Sequence, residues 1–400
     1  MNMRGFRYSI LFSILIFSCS TEDTSLTHSE VRYINNLIYS KSDTTTPYTG
    51  LVKELNNIGN TEFSYNVEGG EIVGDVQFYD DRGEVRLPVS SNRLVERNNL
   101  VYMVNQEVPF NGCVIDTYLN GQYKYKYFLI DGLQTGLYKS WSNNGQVTGE
   151  YFSIEGNING DYSEYWDNDT LRYGGEFLNN LRIGTHTSYY VSGGIDSLVE
   201  YDSLGVKDGL FQSFYKNGQT MFLGKYSKGI ETGDYNYWRE NGVLMVEGNY
   251  DKNGNRDGLE KHFETDGSVS IETLYKNGVR KRLRYYEGDE LWLETTYRNG
   301  KKHITKHYPD NPNHLLHSMV KFENGDEGKG WREEYFSDGT LQERYQVDGI
   351  SGFKKVGEFY QYKKDGSLWI KGEYTDNRQS GLWIWYDKDG KVTSMNNMDD

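Results

Sequence analysis

The chain has no alanine at all, and only five prolines and two cysteines among 400 residues. Alanine is the best helix former, so its absence argues against a helical bundle or a doubly wound α/β fold. Two cysteines cannot build the disulfide framework of a small stapled domain. No apolar run reaches the roughly 20 residues that a membrane-spanning helix needs. Positive charge is also in short supply: 43 Lys and Arg face 58 Asp and Glu, a net −15, and the longest basic run is Arg280-Lys281-Arg282. Phosphate binding needs clustered Lys and Arg, so neither nucleic acid nor anionic lipid is expected as a main partner. A nucleophile-elbow serine, a Walker loop, an HExxH helix and paired CxxC motifs are all missing, and with them the usual signatures of catalysis.

What is present points to strands. There are 45 Gly, 35 Tyr, 17 Phe and 8 Trp, and the 74 Val, Ile and Leu barely outnumber the 60 aromatics. Aromatic and β-branched side chains suit a pleated, half-buried surface, and frequent glycine suits frequent turns. Leu, Ile, Val and Phe total 91 of 400, above the roughly 20% typical of disordered chains.

Residues 1–18 read as a signal peptide, with Arg4 and Arg7 ahead of the short apolar run Tyr8 to Phe17. That run ends in Ile16-Phe17-Ser18-Cys19, which resembles a bacterial lipoprotein box with Cys19 as the lipidated residue. Ser20 is not the aspartate associated with inner-membrane retention, so the expected location is the outer membrane or cell surface, with the lipid as the only membrane contact. Residues 19–30 are rich in Ser, Thr, Asp and Glu and read as a flexible tether. Cys113 is then the one free thiol, read as a strand residue rather than a nucleophile.

A repeat organises the remainder. Glycines lead it at 112, 136, 160, 184, 209, 233 and 258, spaced 24 or 25 residues apart, and Gly330, Gly357 and Gly381 continue it. Gly50 and Gly74 begin it, and two degenerate units lie near Arg282 and His303. With each leading glycine as position zero, position +5 is aromatic in the nine clear units: Trp141, Tyr165, Tyr189, Phe214, Trp238, Phe263, Tyr335, Tyr362 and Tyr386. Position +9 is glycine in eight of the nine, usually after Asn or Asp, a strong hairpin signal. Position +11 is aliphatic in eight, and +17 is aromatic in six. A turn at +7 to +9 sets +5 opposite +11 across the hairpin. Positions +11 and +17 are six apart and would share a face of one strand. The expectation is that +5, +11 and +17 form the buried stripe. The +2 aromatics (Tyr138, Tyr162, Phe211, Tyr235, Phe359 and Trp383) would then form an exposed ladder for binding a partner.

This pattern, G-x-aromatic-x-x-aromatic-x-x-[ND]-G with a tyrosine in the second strand, resembles the MORN repeat, and more closely its bacterial variant in the YwqK-type "antitoxin" family. The resemblance covers about residues 48–395. It implies an all-β fold: an elongated array of about fourteen antiparallel hairpins in a twisted, open sheet. A longer echo sets the modules. Leu37-Ile38-Tyr39 before Pro47-Tyr48-Thr49-Gly50 is repeated as Leu100-Val101-Tyr102 before Pro109-Phe110-Asn111-Gly112, dividing a short first array, 31–93, from a long second one, 94–400.

Other chemistry is weak. His303, His307, His314 and His317 cluster, but in a degenerate repeat, so no metal or other cofactor is expected. Asp251 to Gly258 is similar to a calcium loop, yet Arg256 stands where the glycine belongs and His262 where the last glutamate belongs. The expected function is that of a non-catalytic, lipid-anchored scaffold or binding platform for a protein or envelope glycan. The family label implies toxin neutralisation as the alternative.

Overall fold

The computed structural model describes residues 25–34, 37–57, 59–308, 315–323, 329–348 and 354–399. Among them the chain forms strands and two single-turn 3-10 segments, His28–Glu30 and Ser91–Arg93, and no α-helix. It divides into two compact units, Met1–Gly160 and Asp161–Asp400. The signal peptide and Cys19 lie outside the described residues. Part of the expected tether is ordered instead. Leu26–Thr27 pairs in parallel with Val52 and Lys53, and His28 Nδ1 lies 2.9 Å from the Tyr65 hydroxyl, so the docked chain starts earlier than composition suggests.

In the first unit, Leu26–Thr27, Gly50–Leu55, Thr61–Glu68 and Glu71–Phe78 form a four-stranded sheet. Gly112–Thr117, Tyr123–Ile130, Gly136–Trp141 and Val147–Ile154 pair antiparallel in a second ladder. The two repeated entrances fold alike. Tyr39 bridges Pro47 as Tyr102 bridges Pro109, and the Tyr48 and Phe110 amides donate to the Ile38 and Val101 carbonyls, each at 2.8 Å. One core then joins both arrays: Val52, Phe63, Tyr65, Val67, Val76 and Phe78 pack with Phe128 and Ile130. The core thus crosses the module boundary at 93/94, and the compact division falls at Gly160 instead.

The second unit repeats one hairpin from Leu171–Leu178 to Val392–Asn397, each ladder joining sequence neighbours. Among the described residues Val392–Asn397 pairs with Arg378–Tyr386 and with no other strand, so the sheet is open and not a barrel. The degenerate stretch still forms strands Val279–Glu287, Glu290–Arg298 and Lys301–His307, paired antiparallel with one register slip in each ladder.

Two bulges per unit decide which residues face which way. Position +5 does pair with +11, as in Trp238 with Leu244 and Tyr362 with Leu368. The register slips just before it, so that +4 pairs with +13: Tyr237 with Val246, Gln361 with Ile370. Residues directly opposite share a face, and +4 and +5 face opposite ways. Position +11 therefore lies with +5, while +13 and +17 lie with +2 and +4. The spacing of six between +11 and +17 misled because an extra residue at +12 reverses the pleat. The second slip falls at the leading glycine, whose φ is positive, 72° at Gly233 and 63° at Gly357. This is the left-handed region that other residues enter at a cost.

Candidate functional site

The face bearing +2 is the more deeply covered one. Val52, Val76 and Val114 hold this position in the first unit, at 0%, 3% and 0% exposure, and His186, Tyr235, Phe359 and Trp383 hold it in the second at 3%, 4%, 4% and 2%. Tyr138, Tyr162 and Phe211 are half-buried. The expected ladder of exposed +2 rings is thus corrected: three of the six rings are core. All nine +5 aromatics, from Trp141 to Tyr386, are half-buried on the reverse face.

The reason lies across the hairpin at +15. Phe211, Tyr235 and Phe359 pair with Gly224, Gly248 and Gly372, and a ring fills the space a side chain would take at each glycine: Phe222 at Gly224, Tyr235 at Gly248 and Trp383 at Gly372. A Cβ on Gly248 would come within 2.4 Å of the Tyr235 hydroxyl oxygen. The +17 tyrosine then closes on the ring, Tyr250 at 4.6 Å from Tyr235 and Tyr374 at 5.4 Å from Phe359 between centroids, separations that suit aromatic pairs.

Not every unit keeps this arrangement: the Gly330 unit sets Arg332 opposite Tyr345, and the Gly258 unit departs from it with a buried carboxylate. In the hairpin after Gly258, position +2 is Glu260 and its cross-strand partner at +15 is Thr273, so neither the ring nor its glycine is there. A cleft of about 510 Å³ opens at this point. Tyr235 and Tyr250 stand on one side and Tyr275 and Tyr285 on the other, with Glu260 between them. Glu260 is only 5% exposed, and a buried carboxylate needs partners. It has three. The Tyr235 hydroxyl donates to Oε2, Arg256 Nη1 lies 3.2 Å from Oε2, and His262 Nε2 lies 3.2 Å from Oε1. Arg256 Nη1 also donates to the Tyr275 hydroxyl at 3.3 Å.

Burial, and next the bond to Glu260, push the Tyr235 hydroxyl well above its ordinary range, so it stays a donor. Burial works against the charge of Arg256, but Tyr275 and Glu260 outweigh it and hold the guanidinium charged. At the rim, Tyr237 is 38% exposed. Arg280 rests over the Tyr297 ring at 5.6 Å and, among the described residues, has no carboxylate partner. The cleft thus offers ring faces for stacking, hydroxyls, and two guanidinium groups against one internal carboxylate.

The remaining candidates find ordinary places. Cys113 packs against the first unit's core, and burial raises its thiol to about 11. Asp251 Oδ1 accepts the amides of Asn253 and Asn255 at 2.8 and 2.9 Å, as a tight polar turn does. His314 lies outside the described residues. His307 meets the Trp292 ring at 6.0 Å, and no group of three or more His, Cys, Asp or Glu among the described residues is placed to hold a metal.

Two further columns tie each hairpin to the next. At +6, Tyr118, Trp166, Tyr190, Tyr215 and Arg239 each donate to the +5 carbonyl of the next hairpin, at 2.7 to 3.1 Å. At +8, Asn120, Asn168 and Asn217 reach the next turn at 2.6, 3.0 and 2.8 Å.

Comparison with known proteins agrees with this repeating geometry. The family described as MORN repeat variant matches residues 207–228 and 256–277, the second match containing Glu260. No curated protein matches the chain. Among solved structures, the Photorhabdus luminescens Tc holotoxin pore aligns at 11% identity and a TM-score of 0.16, over 85% of this chain and 20% of that one. A complex of TcdB2-TccC3 with Cdc42 aligns at 10% identity and a TM-score of 0.15, over 90% of this chain and 21% of that one. The chain therefore spans about a fifth of the length of those chains.

Proposed function

We propose that this chain, which carries MORN repeat variants, works without catalysis as a lipid-anchored platform in the bacterial envelope, holding a protein or glycan partner on its repeated face. The observation that carries this reading is the contrast within that face. Most units cover the +2 position with an aromatic ring or other apolar side chain, while the Gly258 unit leaves a polar, tyrosine-walled cleft at the same place. A concave site of mixed aromatic and polar lining within a regular scaffold is where binding concentrates. The anchor is Cys19, and the working location is the outer membrane or cell surface.

Affinity capture from detergent-solubilised envelope, with the full chain as bait, tests the reading. A saturable partner, protein or polysaccharide, that Tyr237→Ala or Glu260→Gln releases supports it. A partner that both variants retain places binding elsewhere, and recovery of no partner overturns the platform role. A toxin-like protein as the captured species would favour neutralisation over scaffolding.

A further inference from the structure

The cleft beside Glu260 is the place where a stack of rings is interrupted, and its chemistry selects what can complete it. Tyr235 and Tyr250 form a closed pair on one side, and Tyr275 stands on the other beneath Arg256, whose guanidinium lies 5.6 Å from its ring centre. Between them, the unit's own ring is replaced by a carboxylate. We propose that a ligand ring fills this gap, and that the ligand is an acidic sugar, a pyranose bearing a carboxylate, within a glycan.

Three features support that class. The open volume, about 510 Å³, falls within the range of about 300–1,000 Å³ usual for small-ligand sites. Sugar rings are apolar on their faces and hydroxylated at their edges. They suit tyrosine walls combined with free donors, and the hydroxyls of Tyr237 and Tyr285 make no hydrogen bond within the described chain. The local charge is reversed from that of the whole molecule. Net charge is −15, yet the cleft sets Arg256 and Arg280 against Glu260 alone, leaving one positive charge over.

The Glu260 carboxylate is already engaged by Arg256, His262 and Tyr235, so it does not attract a cationic ligand. Arg280 has no carboxylate of its own among the described residues, only the hydroxyls of Tyr297, at 3.5 Å, and Tyr275. A guanidinium in that state matches a ligand carboxylate by paired hydrogen bonds. A protein partner supplying an aromatic side chain would fill the ring position but leave Arg280 without an acid.

The inference rests on the platform reading and narrows it to one ligand class. The test is calorimetric titration of the full-length chain with trigalacturonate and, in parallel, with the neutral trisaccharide maltotriose. The expected result is saturable binding of the uronate, at least tenfold tighter than the neutral sugar and weakened by added salt. Arg280→Gln should abolish that tenfold preference at an unchanged thermal midpoint, and Tyr237→Ala should weaken both sugars.

Equal affinity for the two sugars, or a preference that survives Arg280→Gln, overturns the acidic assignment. Binding of neither sugar overturns the glycan inference. If envelope capture still yields a protein that Tyr237→Ala releases, the platform reading stands without it.

Discussion

Gly248 lacks a side chain at the one place where the Tyr235 ring needs the space. The two residues are cross-strand partners, and a Cβ would stand 2.4 Å from the ring's hydroxyl oxygen. Gly248→Ala should therefore cost about 1–3 kcal/mol through overpacking, read as a shift in urea unfolding; a wild-type midpoint would refute the ring-over-glycine account. His186 occupies the same column as Tyr235, two units earlier. Its Nε2 donates to the Glu176 carbonyl at 2.9 Å, and Nδ1 accepts from the Tyr173 hydroxyl. Burial first, and Arg182's charge after it, lower its proton affinity below the ordinary value of 6.5. The unfolded chain then takes up a proton that the folded chain refuses, so this stabilisation is full above the ordinary value and is lost as pH falls toward the lowered one. The expected outcome is that wild type loses stability between about pH 7.5 and 5.5 and that His186→Phe loses less. Equal losses would show that another group titrates.

At the scale of the hairpin, the two faces are held differently. The +2 face is packed ring against ring, as where Trp383 stacks on Phe359 at 5.4 Å with only 2% exposure. The +5 face is half-open, and its order comes partly from the +6 donors that tie each hairpin to the next. Trp383→Ala should cost about 3–5 kcal/mol, the range for a deleted core aromatic. Trp238→Ala, on the half-buried face, should cost clearly less. Chemical denaturation of the pair decides this, and the reverse order would mean that the faces have been assigned backwards. The Gly258 hairpin shows that one unit can give up its ring without losing register, since all six residues from Gly258 to Phe263 remain paired with the next strand. A repeat whose ladder is carried by backbone hydrogen bonds leaves its +2 side chain free to change.

Apart from Leu26–Thr27, which pairs with Val52 and Lys53, the ladders of the described residues join strands close in sequence, so stability accumulates from nearest-neighbour contacts. Damage to one hairpin is expected to stay local. The excess of negative charge favours solubility and disfavours polyanions, which makes the positive local balance beside Arg280 the more selective. Attachment belongs to this scale too. One acyl chain holds a protein only marginally on a membrane, whereas two or more hold it stably. Labelled palmitate should enter the wild-type chain and not Cys19→Ser, and equal incorporation into both would dispose of the anchor.

The sequence by itself determined the all-β class, the hairpin period and the +5/+11 pairing. Asn-Gly and Asp-Gly turns, glycine spacing and aromatic columns are local signals that a linear reading detects. It also identified the two like-built entrances, because Pro47 and Pro109 mark equivalent turns. Tertiary structure decided which face is core. The bulge at +12 inserts one residue, and a shift of one reverses every side chain beyond it; the slip at the leading glycine is of two, as where Leu223 pairs with Asn236 but Lys225 with Thr232. The letters at +2 and +15 were visible, but their coupling across the strands was not, so neither the ring over Gly248 nor the gap at Glu260 could be read from them. Glu260 is one acid among 58 acidic residues in the sequence. Only when the folded hairpins place it in a column of buried side chains, against Thr273 and between tyrosines, does it mark a site.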